Sequence, residues 1–208
     1  SMDNVHLISH PVLQHSLTLL RDKRTGIEEF RRHAAIVAQI VLLEATRDLP
    51  VSKKSVRTPL ASCPGEQLKE DLVLVPVLRA GLAMLGPALE ILPRTPVGFI
   101  GLERDERTAL ARAYYQKFPT DLKNKRVIVL DPMLATGGSL IDTLARLRDR
   151  GARDICAACI VIAPEGVRAL QKHYPEVAIH TAALDSHLNE AKYIVPGLGD
   201  FGDRYFGT

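Results

Sequence analysis

Residues 127–139 read VIVLDPMLATGGS, and the fold turns on them. Val127–Leu130 is an apolar run without a polar face, the pattern of a strand buried on both sides of a parallel sheet. Asp131 and Pro132 end the run. Met133, Leu134, Ala135, Thr136, Gly137 and Gly138 lead to Ser139, where a helical pattern starts and continues to Arg150. The same alternation extends in both directions. Leu72–Val77 and Ile155–Ile162 are further unbroken apolar runs, and Val97–Leu102 and Val177–Leu184 are weaker ones. Helical stretches at Leu82–Ile91, Ser139–Arg150 and Glu165–Lys172 separate them, and Gly151 follows the second as a natural C-cap. This predicts an α/β fold: an open, mostly parallel twisted sheet flanked by helices.

Upstream, the first fifty residues read as helical. Pro11 is placed like a first-turn proline, and Leu13, Leu17 and Leu20 recur at helical spacing. Thr25 with Glu28 resembles a capping box, and Phe30, Ala34, Val37, Val41 and Ala45 form one apolar stripe. Residues 50–70 are punctuated by Pro50, Pro59, Pro64 and Gly65, as in a loop or a short hairpin. The length of 208 residues suits one domain over 1–208.

Composition excludes several classes. A formal charge of +3 is too mild to predict nucleic-acid binding, and the short basic clusters at Arg21–Arg24 and Lys123–Arg126 read as solvated surface. No apolar run reaches the ~20 residues of a membrane span. Asp3, His6 and His10 interrupt the N-terminus early, unlike a secretory signal, so a cytoplasmic setting is expected. Three cysteines are too few for a disulfide framework. Cys156 and Cys159 form a C-x-x-C, but within a strand residues three apart face opposite sides, so the thiols should not converge. His173, His180 and His187 lack metal-ligand spacing, and no protein metal site is expected.

In open α/β sheets, ligands sit beyond the carboxyl ends of the strands. Gly137 and Gly138 let a backbone close on an anion at a helix N-terminus, where unpaired N–H groups and the helix dipole favour negative charge. No lysine follows the glycines, so the turn is not a Walker phosphate loop. Asp131, five residues before Thr136, would accept sugar hydroxyls while the turn holds phosphate, as a ribose 5-phosphate requires. Leu72–Val77 leads into Leu78, Arg79, Ala80 and Gly81, where one arginine fork suits a second anion. A charged segment, Glu103–Arg107, follows Val97–Leu102 and fits either a loop over a site or an exposed hairpin. Gly197, Gly199 and Gly202 have dinucleotide-fingerprint spacing, but outside a strand–helix–strand unit they read as an ordered loop with bare backbone.

These segments together resemble the uracil phosphoribosyltransferase family, of the type I phosphoribosyltransferase fold. The matching stretches are HPVLQHSLTLLRDKRT (10–25), VPVLRAG (75–81), GLERDE (101–106), YYQKFP (114–119), VLDPMLATGGS (129–139), APEGVRAL (163–170) and YIVPGLGDFGDRYFGT (193–208). The resemblance implies N-terminal helices, a small hood, and transfer of phosphoribose from 5-phosphoribosyl 1-diphosphate to uracil. It implies that Asp131, Pro132, Met133, Leu134, Ala135, Thr136, Gly137, Gly138 and Ser139 hold the ribose phosphate, and that Arg79 and Arg104 hold the diphosphate. Ile194, Gly199, Asp200 and Phe201 align with uracil contacts, and Asp200 also with the sugar diphosphate. Arg79, Arg104, Asp131 and Asp200 are the catalytic candidates. Mg²⁺ held mainly through the diphosphate, a homo-oligomer, and GTP as an effector in some relatives are further implications. Three departures bear on this: Phe201 stands where the family has a small residue, Glu103 replaces an aromatic, and residues 107–113 lack the usual loop sequence. A nucleotide sensor without catalysis, or transfer to another base, would share the fold.

Overall fold

The computed structural model describes residues 2–69, 71–105, 107–108 and 111–208, with Arg104 described by its backbone alone. The chain opens with β1 (Val5–Leu7), α1 (Pro11–Arg21) and α2 (Ile27–Ala45), followed by β2 (Val51–Arg57) and β3 (Ser62–Leu68). Next come β4 (Leu72–Leu78), α3 (Leu82–Ile91), β5 (Phe99–Arg104) and β6 (Ala111–Lys117). The second half runs β7 (Arg126–Leu130), β8 (Met133–Leu134), α4 (Gly138–Asp149), β9 (Asp154–Ile162), α5 (Pro164–His173) and β10 (Ala178–Leu184). It closes with β11 (His187–Leu188), β12 (Ile194–Val195) and α6 (Phe201–Phe206).

The main sheet has the order β1-β10-β9-β7-β4-β5-β6, with β8 also paired to β9. Every pairing in it is parallel except β5 with β6. The predicted architecture is therefore present. Its cause is visible in β4, β7 and β9, whose apolar side chains are buried on both faces. On one face Ile128, Leu130 and Ile160 pack against Leu13, Phe30, Val37, Val41 and Met84 of α1, α2 and α3. On the other, Val127, Val129 and Ile155 pack against Leu140, Leu144, Leu147, Val167 and Leu170 of α4 and α5. Cys156 belongs to the first layer and Cys159 to the second, so the two thiols do point apart.

Several expectations change. The first fifty residues are not wholly helical, because β1 docks on β10 as an edge strand. Pro11 does open α1, and the His10 ring accepts the Val12 N–H at 3.1 Å. The capping box does not form: Gly26 is the N-cap of α2, and the Thr25 hydroxyl donates instead to the Leu19 carbonyl at 2.6 Å. The loop-or-hairpin segment takes the hairpin alternative over residues 51–68, with Val51 opposite Leu68 and Arg57 opposite Ser62; residue 70 lies outside those described. The polar segment after Val97–Leu102 is also a hairpin, built by β5 and β6; residues 106, 109 and 110 lie outside those described. The tail beyond Gly199 is the helix α6 rather than a loop. No described helix is long and apolar enough to cross a membrane.

Candidate active site

The chain does not leave the sheet at Asp131. Asp131 N–H donates to Ala158 O at 3.2 Å, Pro132 O accepts from Ile160 and Val161 N–H at 2.8 and 3.0 Å, and Ala163 N–H reaches Leu134 O at 2.9 Å. The turn proper is Ala135–Gly137. Gly137 is left-handed at φ 91°, and a Cβ there would lie 3.0 Å from the Gly166 carbonyl, so only glycine closes this turn without strain. The N-cap of α4, Gly137, has no side chain with which to bond the helix start, and the approach of Gly138 N–H to Thr136 Oγ1 is long at 3.4 Å. The first-turn donors that a helix leaves unpaired are thus available to an anion.

Asp131 stands at the carboxyl end of β7. Burial among the strands lifts its carboxyl from 3.8 to about 7, with the Met133 N–H acting in the opposite sense. At the end of β4, Arg79 follows a cis Leu78–Arg79 peptide. Its guanidinium is about half exposed, 3.6 Å from Asp203 Oδ1 and 5.3 Å from the centre of the Phe206 ring. Asp200 is the N-cap of α6 and accepts the Asp203 N–H at 2.9 Å.

One cleft of about 380 Å³ collects these groups. Arg79, Asp131, Met133, Leu134, Ala135, Thr136, Gly137, Ser139, Ile194, Gly199, Asp200 and Phe201 line it, together with Val77, Leu78, Ala80, Leu140 and Gly202. Pro132 and Gly138 are not among its lining residues. The Arg104 side chain lies outside the described residues, although its backbone ends β5. The Phe201 ring is buried, 5.1 Å from the ring of Phe30 and 6.1 Å from that of Tyr205 on which it stacks. The bulky side chain thus fills the core, and the narrowing of the cleft that a ring facing it would cause does not arise.

Sequence reasoning missed several residues here. Lys192 and Tyr193 also line the cleft, Lys192 in a left-handed turn at φ 67°. Tyr193 begins the tail stretch that carried the resemblance, whereas Lys192 gave no signal. Arg21 is not solvated surface: its fork meets the Asp185 carboxylate at 2.8 and 2.7 Å. Asp185 had no motif to mark it. Arg126 of the second basic cluster likewise pairs with Asp48 at 2.6 Å and Asp154 at 3.3 Å.

A mostly parallel sheet flanked by helices, with a glycine turn opening on the cleft at its carboxyl edge, defines the class as a type I phosphoribosyltransferase fold. A solved hypoxanthine phosphoribosyltransferase of Staphylococcus aureus shares that fold at a TM-score of 0.54 and 13% identity, over 76% of each chain. A solved Aquifex aeolicus protein superimposes far more closely, at a TM-score of 0.91 and 35% identity over 98% of both chains. A uracil phosphoribosyltransferase of Oceanobacillus iheyensis is 47% identical over 208 residues, 100% of each chain. The family model for uracil phosphoribosyltransferase matches residues 7–208, and the chain belongs to that family.

Proposed function

We propose that this chain transfers the 5-phosphoribosyl group of 5-phosphoribosyl 1-diphosphate to uracil, giving UMP and diphosphate in pyrimidine salvage. The observation that carries this reading is the helix start at Gly138, open to an anion, facing one cleft with Asp131, Arg79 and the 194–201 segment. Family membership supports the choice of substrates.

The 5-phosphate takes the N–H groups and hydroxyls of Thr136–Ser139, and Asp131 accepts from the ribose hydroxyls. Arg79 and Arg104 bind the diphosphate. Main-chain groups of Ile194, Gly199, Asp200 and Phe201 meet the O2–N3–O4 edge of uracil. The N1–C1′ bond forms as the bond from C1′ to diphosphate oxygen breaks; the electron pair leaves with diphosphate and the N1 proton is released. Positive charge builds on the ribose ring, as in glycoside chemistry. Donors that tighten as the leaving group gains charge lower the barrier.

Mg²⁺ fits this donor set as an ion carried by the substrate. Among the described residues no three His, Cys, Asp or Glu side chains cluster as ligands, and the carboxylates at the cleft are Asp131 and Asp200. Held mainly through diphosphate oxygens, the ion would keep several waters and neutralise the leaving group.

The chain acts as one domain in the cytoplasm, and as a homo-oligomer. Support for assembly comes from the β2–β3 hairpin, which among the described residues pairs with no third strand and leaves Val56 41% and Leu60 94% exposed. An isolated hairpin is marginal in water.

The test is nucleotide formation from Mg²⁺, the sugar diphosphate and a panel of bases. UMP formed from uracil alone supports the proposal. Product from another base instead, or sugar-diphosphate binding without turnover, refutes it.

A further inference from the structure

Gly197 sits between Ile194 and Gly199, two points at which the tail segment lines the cleft. Both of its backbone polar groups are held from outside that segment. Its N–H donates to Asp185 Oδ2 at 2.8 Å, and its carbonyl accepts from Arg21 Nη1 at 2.9 Å. Arg21 and Asp185 grip each other with two parallel bonds, from Nη1 to Oδ2 and from Nη2 to Oδ1. The Asp185 side chain is 5% exposed and that of Arg21 is 29% exposed. The neighbouring carbonyl of Leu198 accepts from Arg204 Nη1 at 2.8 Å. Arg21 ends α1 and Asp185 follows β10, so two distant parts of the chain converge on one residue and hold the peptide planes on both sides of it.

A buried ion pair is a poor device for stability alone, because desolvation consumes most of its attraction. Its strength is geometry: the planar fork fixes direction as well as distance. At Gly197 that matters, because the left-handed φ of 54° sits in a turn where a Cβ would strike the Ile194 carbonyl. Neither Arg21 nor Asp185 lines the cleft. Any effect of theirs on a ligand travels through the peptide they hold.

We propose that Arg21 and Asp185 are positioning residues for base recognition, setting the orientation of the two peptides that flank Gly197 and so of the main-chain groups that read uracil. This rests on the reading of residues 194–201 as the base site.

The test compares Asp185→Asn, Arg21→Gln and the milder Arg21→Lys with wild type. For each, kcat and both KM values are measured together with the melting temperature. In wild type, hydrogen exchange of residues 194–201 is followed with and without UMP. The expected result for Asp185→Asn and Arg21→Gln is a KM for uracil raised about tenfold or more, the scale of one lost charge-assisted contact. The KM for the sugar diphosphate should rise several-fold less, because the ribose and 5-phosphate contacts at Asp131 and Thr136–Ser139 lie outside residues 194–201, with Asp200 the one position shared. Arg21→Lys keeps the charge but not the fork, and should fall between. A merely structural pair would lower the melting temperature and disturb both KM values alike, and that outcome overturns the proposal. It is also overturned if UMP protects residues 194–201 while the uracil KM is unchanged in all three variants. If UMP leaves those amides unprotected, the base-site reading itself has failed, and the proposal with it.

Discussion

Replacing Asp131 with asparagine should stabilise the ligand-free protein at neutral pH while disabling it. The Asp131 carboxyl is lifted from 3.8 to about 7 by burial. A group whose folded value is raised holds its proton more tightly in the folded state. The stability it contributes is full below pH 3.8 and is lost as pH rises to about 7. At ~1.4 kcal/mol per pH unit, charging the carboxylate costs up to about 4 kcal/mol, an upper bound because water in the cleft reaches the residue. Asparagine has nothing to ionise, and its amide oxygen can still accept the Met133 N–H. A chain of this size shifts its melting temperature by roughly 2–4 °C per kcal/mol. Asp131→Asn should therefore melt several degrees above wild type at pH 8, with the difference shrinking toward pH 5. Turnover should fall by about 100-fold, since a charged acceptor for two ribose hydroxyls is gone. Differential scanning fluorimetry of both proteins across pH 5–8.5, beside an activity assay, reads both effects. A difference in melting temperature that does not change with pH, or a variant less stable at pH 8, would refute the reasoning.

Arg79→Ala should cut turnover by about 10- to 100-fold, the value of a charged contact to diphosphate, with little change in melting temperature because the side chain is half exposed and its ion pair with Asp203 is solvated; wild-type rates would remove its assigned role. Phe201→Ala should lower stability by roughly 3–5 kcal/mol through the cavity left beside Phe30, and chemical denaturation measures this. The same variant should keep the base preference of wild type, and a changed preference in the base panel would place its ring in recognition after all. Gly137→Ala forces a side chain into a left-handed turn against Gly166, so binding of ribose 5-phosphate by calorimetry should weaken at least tenfold. In wild type, that binding should release protons and tighten as pH rises through about 7, because hydroxyl donors favour the charged Asp131. Asp131→Asn should lose that part of the pH dependence.

The sheet was legible because three strands are apolar on both faces, and the phosphate turn because glycines between a strand and a helix have few other readings. Edge elements were harder. β1 has three residues, two of them exposed, and its place depends on β10, whose paired residues lie 174 positions downstream. The capping box failed because Gly26 already supplied the extended entry to α2, leaving Thr25 free to bond Leu19. At the site, cleft residues that lie within local motifs could be found by spacing. Arg21 and Asp185 could not, because what distinguishes them is a meeting across 164 positions, and a lone arginine beside Asp22 and Lys23 looks like surface. The direction of the Phe201 ring likewise depended on Phe30 and Tyr205, whose convergence no local pattern records.

The separation of Cys156 and Cys159 onto opposite layers of the sheet has a practical use. Burial pushes the Cys156 thiol up to about 12 and that of Cys159 well above its ordinary range, so neither offers thiolate to a reagent in the native state. Cys63, part-exposed on the β2–β3 hairpin, stands apart from both. A maleimide dye should therefore label the folded chain at the hairpin alone, to the extent that assembly leaves Cys63 open, without any engineering of the sequence. The chain carries its own address for a probe on the β2–β3 hairpin, and the two silent thiols become a built-in alarm, reacting only when the sheet opens.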